Sequence, residues 1–150
     1  DTFAAFRETY RSDSIDSAAC LATIKSTLEQ YDYRLDPHTA VAFQVAQNLR
    51  GENPVLIAST AHWAKFGENV YRALHDIDPD GPLPEDIAAL SGCELNELIA
   101  REAGKGAGTI PQGLAELDSL PIRFSEVIDH DTATIEDATE VFIKSLFREA

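Results

Sequence analysis

The chain has 150 residues, about one average domain, and 44% of them are hydrophobic, enough to bury a core. Its charge is one-sided, since 26 Asp and Glu against 12 Lys and Arg give a formal −14. Nucleic acid and anionic membrane surfaces both select for clustered cations, and no such cluster exists here, so both are excluded as partners in favour of a soluble, well-hydrated acidic surface.

The two cysteines, Cys20 and Cys93, lie far apart and form no C-x-x-C pair. This usage fits reduced thiols on apolar helix faces in a cytoplasmic protein, not a disulfide framework. No apolar run approaches the roughly 18 residues of a membrane helix, and no signal-peptide pattern is visible. The chain starts at Asp1 and contains no Met, so a processed chain or an excised fragment is expected.

Residues 1–15 read as a polar lead-in carrying Phe3, Phe6 and Tyr10. A first helix is expected from Asp16 to Tyr31, with Asp16 as its N-cap and Leu21, Ile24 and Leu28 on one face. A second is bracketed by Asp36 as N-cap, Pro37 at the first helical position and Gly51 as the stop. Its Ala- and Val-rich sequence suits burial on much of its surface. PVLIAST, residues 54–60, is a short apolar, β-branched run, and reads as a strand covered on both faces. A helix from His62 to His75 follows, striped by Trp63, Phe66, Val70 and Leu74. Helix, strand and helix in this order predict an α/β arrangement, predominantly helical.

The remainder reads as a helical extension over residues 81–150. It has a short helix near Pro84–Leu90 stopped by Gly92, a helix over Glu94–Ala103 and a flexible GKGAGT loop. Pro111 opens a short helical stretch, and LPIRFSEV offers a second strand through Ile122 and Phe124. A last helix is expected over Thr134–Phe147, with capping-box spacing between Thr134 and Asp137. Ile135, Ala138, Phe142 and Leu146 would line its buried face. A doubly covered strand needs hydrogen-bonding neighbours on both sides. With one further candidate strand, the sheet is expected to be incomplete, its other strands lying upstream.

Several short patterns invite a chemical reading. Asp76, Asp78, Asp80 and Gly81 have the opening spacing of a calcium loop. Ile87 stands at the twelfth position where that loop needs Glu, and Pro79, Pro82 and Pro84 stiffen the segment, so an acidic turn ending a helix is expected. In GKGAGT, Lys105 is followed by Gly106 and a helix precedes the loop, which makes it a surface loop and no phosphate loop. Asp129, His130 and Asp131 are adjacent and read as a polar loop capping the last helix. No metal site and no Ser-His-Asp or Cys-His arrangement emerges. The segment from Asp36 to Phe66 remains. Ser59 and Thr60 stand there at the carboxyl end of the expected strand, before a helix N-terminus, the end at which open α/β sheets bind ligands. On spacing alone, Thr60 is equally a simple helix cap.

Two blocks of this segment resemble the threonine synthase family. YDYRLDPHTAVAF, residues 31–43, is similar to the family's Pro-His block, and VLIASTAHWAKFGENV, residues 55–70, to its Thr-Ala-His-Pro-Ala-Lys-Phe block. They occur in the family's order with a similar gap, and the resemblance covers about residues 17–75. It implies the C-terminal portion of a fold type II enzyme dependent on pyridoxal 5′-phosphate, with residues 16–80 forming part of the cofactor-binding α/β domain and contributing one or two sheet strands. It further implies conversion of O-phospho-L-homoserine and water to L-threonine and phosphate. Thr60, with Ser59 as runner-up, would hydrogen-bond the pyridine nitrogen. Asp36, Pro37, His38, Thr39, His62 and Lys65 would line the site. Trp63 stands where the family has Pro. Lys25, Lys65, Lys105 and Lys144 do not sit in the family's Schiff-base lysine motif, and its glycine-rich phosphate loop is missing. A partial active site is therefore expected, inactive alone, with no cofactor held by this piece and the missing N-terminal part of the enzyme as its partner. The piece alone is expected to self-associate through its exposed strand edge. A rival reading is a stand-alone acidic helical domain that binds a protein and keeps active-site-like motifs. A third is a related fold type II lyase with another substrate.

Overall fold

The computed structural model describes residues 2–102, 109–122 and 127–147, and every regular element among them is helical. Residues 1–119 form one unit and residues 120–150 another.

The lead-in is not irregular. It forms α1, Thr2–Thr9, in which Phe3 and Phe6 lie exposed, and the Phe6 ring stacks on that of Tyr10 just beyond the helix at 4.5 Å. This i, i+4 aromatic pair supports a turn that lacks a buried stripe to announce it. The next two helices follow their punctuation. In α2, Ser17–Tyr31, Asp16 accepts a hydrogen bond from the Ala19 N–H at 2.7 Å, and Asp32 ends the helix in the left-handed region at φ 53. In α3, Pro37–Leu49, Asp36 caps the start and Arg50 closes the end, with Gly51 just beyond.

The core of the first unit lies where α2 packs on α3 and on α4, Gly67–Leu74, and where α4 packs on α6, Gly92–Glu102. Ile24, Ala40, Val70 and Ile99 are its fully buried hydrophobic members, with Cys20, Leu21, Leu35, Trp63 and Leu95 around them. Contrary to expectation, α3 buries only Thr39 and Ala40. Its main described neighbour is α2, so its remaining faces stay half-buried or open.

Residues 54–60 correct the strand expectation. They form no strand, and Leu56 is 98% exposed. A strand covered on both faces needs bonded neighbours, and the described residues provide none. The same applies to the second expected strand: Ile122 is exposed and outside any strand, and Phe124 lies outside the described residues. Lys105 and Gly106 of the GKGAGT loop also lie outside them.

The expected helix over 62–75 is two elements, a single 3-10 turn at Trp63–Phe66 and then α4. Its stripe holds, with Trp63 and Val70 buried and Phe66 and Leu74 half-buried. The acidic turn after it is closed as a helix end. Asp76 takes φ 54 and the Ile77 N–H donates to the Arg72 carbonyl at 3.0 Å. Arg72 also donates to the carbonyls of Asp78 at 2.9 Å and Gly81 at 2.6 Å, tying the proline-rich loop to α4.

Short α5, Glu85–Ala88, precedes α6. Gly92, expected as a stop, instead opens α6. A reciprocal capping box explains it: Ser91 Oγ accepts from the Glu94 N–H at 3.2 Å, and Glu94 Oε2 accepts from the Ser91 N–H at 2.8 Å. After Pro111 come α7, Gln112–Ala115, and a 3-10 turn at Leu117–Ser119. In the second unit, α8 spans Thr132–Leu146. Its cap is Asp131, accepting from the Thr134 N–H at 3.0 Å, so the 129–131 loop caps the helix as expected while Thr134 does not. Ile135, Phe142 and Leu146 are exposed and Ala138 half-buried, which corrects the expected buried face.

The crossing of α4 on α6 depends on Gly67. A Cβ there would lie 2.5 Å from Asn96 Oδ1, and Asn96 is buried with its Nδ2 donating to the Ala64 carbonyl at 2.8 Å. Gly67→Ala is expected to displace Asn96 and to cost about 1–3 kcal/mol. Gly92→Ala, with nothing within 4 Å of the added carbon, should change stability by less than about 0.5 kcal/mol. Urea unfolding of the two variants checks the contrast; equal effects would contradict it.

Candidate functional site

Asp36 is 2% exposed, yet it is a carboxylate, so its burial must be offset by hydrogen bonds. They come from the first turn of α3. The backbone N–H groups of His38, at 3.0 Å, and Thr39, at 3.4 Å, donate to Oδ1, and His38 Nδ1 lies 3.1 Å from the same oxygen. The Thr39 hydroxyl donates to Oδ2. Pro37 sets the first helical φ, and the cap geometry then aims all four groups at one carboxylate.

The cluster reaches one step further. Thr39 Oγ1 lies 3.0 Å from Ser59 Oγ. Asp36 accepts only, so the single Thr39 proton is committed to it, and the Ser59 hydroxyl donates to Thr39 at 3.0 Å in preference to the more distant Ala61 carbonyl at 3.5 Å. Ser59 is left with lone pairs, an acceptor toward solvent. The next residue, Thr60, is exposed and has no hydrogen-bond partner among the described residues, so its hydroxyl proton is free to donate. The two neighbouring hydroxyls therefore differ in chemistry. Ser59 and Thr39 also line a cavity of about 470 Å³ walled by Tyr31, Tyr33 and Phe43.

His38 is exposed, its ring 4.8 Å from that of Phe66. With Nδ1 turned to Asp36, its Nε2 makes no hydrogen bond among the described residues. His62 caps the 3-10 turn, its Nδ1 accepting from the Ala64 N–H at 3.2 Å. It, and not Thr60, is the cap of that turn, which removes the simple-cap reading of Thr60. The placement of Ser59 and Thr60 at a strand end is corrected too, since their segment is an exposed, irregular run. The structure thus joins Asp36, His38, Thr39 and Ser59 through hydrogen bonds. Lys65 is exposed and makes no side-chain hydrogen bond or ion pair among the described residues. Sequence reasoning missed Arg34. Its guanidinium is buried over the Trp63 ring, 4.4 Å from the centroid, a pairing across 29 residues that no local pattern signals.

The electrostatics follow from these contacts. Desolvation pushes the Asp36 carboxyl up, but the hydrogen bonds from Thr39 and His38 outweigh it and hold it below the ordinary carboxylate value. Burial lowers the His62 pKa, Arg34 lowers it further, and Asp36 opposes both. In the described residues no group of three His, Cys, Asp or Glu side chains converges as metal ligands would.

A carboxyl with a lowered folded pKa contributes stability above its unfolded pKa of about 3.9, and that contribution is lost as pH falls through the folded value. Asp36→Asn retains a good cap and removes this titration. The unaltered chain is expected to exceed the Asn variant in stability at pH 6 and to lose that margin below about pH 4. Urea unfolding between pH 3 and 6 checks this; a margin that does not shrink on acidification would contradict it.

Residues 39–103 match the family model for the C-terminal domain of threonine synthase. The chain is 44% identical over 69 residues to threonine synthase-like 1 of Mus musculus, covering 45% of this chain and 9% of that protein. It is 32% identical over 126 residues to threonine synthase of Methylobacillus glycogenes, covering 83% of this chain and 20% of the other. Against threonine synthase of Eremothecium gossypii it is 32% identical over 102 residues, 60% of this chain and 20% of that protein. No solved structure matches it. The chain spans about a tenth to a fifth of the length of these relatives. Thr39, Ser59, Thr60 and His62 all fall inside the matched span, and across it the chain is similar to the C-terminal part of threonine synthases.

Proposed function

We propose that this chain completes the active site of a pyridoxal phosphate-dependent lyase that converts O-phospho-L-homoserine and water to L-threonine and phosphate in the cytoplasm. The observation that supports this reading most is the Ser59–Thr39–Asp36 relay, which fixes one hydroxyl as an acceptor beside a free hydroxyl on Thr60. Neutral hydroxyls suit the edge of a pyridine ring, so these residues fit the cofactor. Pyridoxal 5′-phosphate would supply the electron sink for carbanion chemistry.

The chain's own residues orient and polarise. Thr60 would donate its hydroxyl proton toward the ring nitrogen, a hydrogen bond that would orient the cofactor without protonating it. Ser59 is held by Thr39 and accepts from a neighbouring donor. His38, held by Asp36, would line the completed site together with His62 and Lys65. The lysine motif and phosphate loop come from the remaining polypeptide, which is the proposed partner. No described helix is long and apolar enough to cross a membrane. The exposed Val55 and Leu56 favour association with another chain segment. That observation also serves the second reading, a protein-binding domain without activity.

Two experiments test the proposal. The purified chain, mixed with pyridoxal phosphate and O-phosphohomoserine, is expected to form no threonine, and borohydride reduction should label no single lysine stoichiometrically. Turnover by the chain alone would defeat the partial-site reading. It should also elute as oligomers by light scattering, and a strict monomer would contradict association through the exposed apolar Val55 and Leu56. In the intact enzyme, Thr60→Val is expected to lower kcat roughly ten- to a hundredfold, the effect of losing one buried hydrogen bond of about 1–3 kcal/mol in the transition state. Its melting temperature should change little, because His62 caps the turn. Normal turnover in Thr60→Val with loss in Ser59→Ala would move the donor role to Ser59.

A further inference from the structure

The 3-10 turn at Trp63–Phe66 starts from an unusual cap. Its N-cap acceptor is an imidazole nitrogen, His62 Nδ1, which receives the Ala64 N–H at 3.2 Å. A backbone N–H can only donate, so Nδ1 must be unprotonated while this bond exists. The neutral ring then carries its proton on Nε2. Protonating Nδ1 would remove the cap and set two N–H groups against each other.

Arg34 shares the Trp63 ring with His62 as a packing partner. It is 4% exposed, lies over the Trp63 face at 4.4 Å, and donates through Nη2 to the Ile99 carbonyl at 3.4 Å. Its Nε and Nη1 have no hydrogen-bond partner among the described residues. The His62 ring packs on Trp63 at 5.4 Å, so Trp63 touches both. Arg34 makes no ion pair among the described residues, although Asp32 favours its charged form, and a buried cation disfavours a second cation close by. The charges that act on His62 are Arg34, which opposes its protonation, and Asp36, which favours it. Trp63 replaces the Pro of the resembled motif, and the exchange gives Arg34 its platform.

We propose that Arg34, seated on Trp63, is a positioning residue that, added to the burial of the ring and the Ala64 N–H cap, keeps His62 neutral and Nε2-protonated, a fixed hydrogen-bond donor across the physiological pH range. Ligands recognised by such a donor carry an acceptor oxygen, such as a carboxylate or phosphate. The inference holds whether or not the reaction proposed above is the right one, because it concerns the state of one ring.

Long-range proton–nitrogen correlation spectra of the whole, nitrogen-15-labelled chain, recorded from pH 4.5 to 8, read that state directly. The expected result is a His62 ring with Nε2 protonated and Nδ1 bare at pH 7, titrating with a midpoint below the free-histidine value of about 6.5. In Arg34→Gln the midpoint is expected to rise toward that value. Should Arg34→Gln fail to fold, Trp63→Phe, which keeps a smaller aromatic platform, is expected to shift the midpoint in the same direction by less. An Nδ1-protonated ring in the unaltered chain, a midpoint at or above about 6.5, or an unchanged midpoint in a folded variant would each overturn the proposal.

Discussion

The structure around the site depends on one buried carboxylate. Asp36 sits at the start of α3 with almost no exposure, and an unpaired charge there would be prohibitively costly. Donors from His38 and Thr39 surround it because the helix start aims backbone and side-chain groups at a single point. The same charge fixes the proton order in Thr39 and through it in Ser59. A requirement for local helix capping thus propagates across 20 residues of sequence into a hydroxyl of defined polarity. The Asp36 carboxylate also favours protonation of His62, against the stronger effects of burial and Arg34.

A second constraint is close packing at the crossing of α4 and α6. Gly67 gives room for Asn96, and Asn96 ties the 3-10 turn to α6 through the Ala64 carbonyl. That turn carries Trp63, which supports Arg34 and borders His62. Packing and the arrangement of the site are therefore linked through the same few residues: loosening the crossing would loosen the platform under Arg34. The ion pairs elsewhere, such as Arg101 with Glu97 and Lys144 with Glu140, are exposed and contribute little by comparison.

What the sequence made legible was local. Asp16, Asp36 and Pro37 punctuate α2 and α3 within three residues of each helix start, and the structure follows them. The family blocks were legible too, because short runs of residue types in order are what a sequence records best. The capping box of Ser91 and Glu94 was equally local, but Gly92 inside it drew the opposite reading. The other failures were non-local. PVLIAST has the composition of a buried strand, yet a strand exists only with partners, and Leu56 stands in solvent without them. The apolar face of α8 has the right period and is likewise not buried among the described residues. Arg34 over Trp63 left no pattern at all, since a long polar side chain between Tyr33 and Leu35 looks like a surface residue until the fold buries it.

The central claim is that Asp36 is ionised, buried and the acceptor that orders Thr39 and Ser59. Carbon-13 spectra of the Asp36 side-chain carboxyl, followed through acid titration, measure that most directly. The account predicts a carboxylate that remains ionised well below the ordinary aspartate value of about 3.9, with the backbone N–H signals of His38 and Thr39 moving at the same midpoint. A carboxyl that takes up its proton at or above that value, or that titrates without disturbing the two N–H groups, would contradict it.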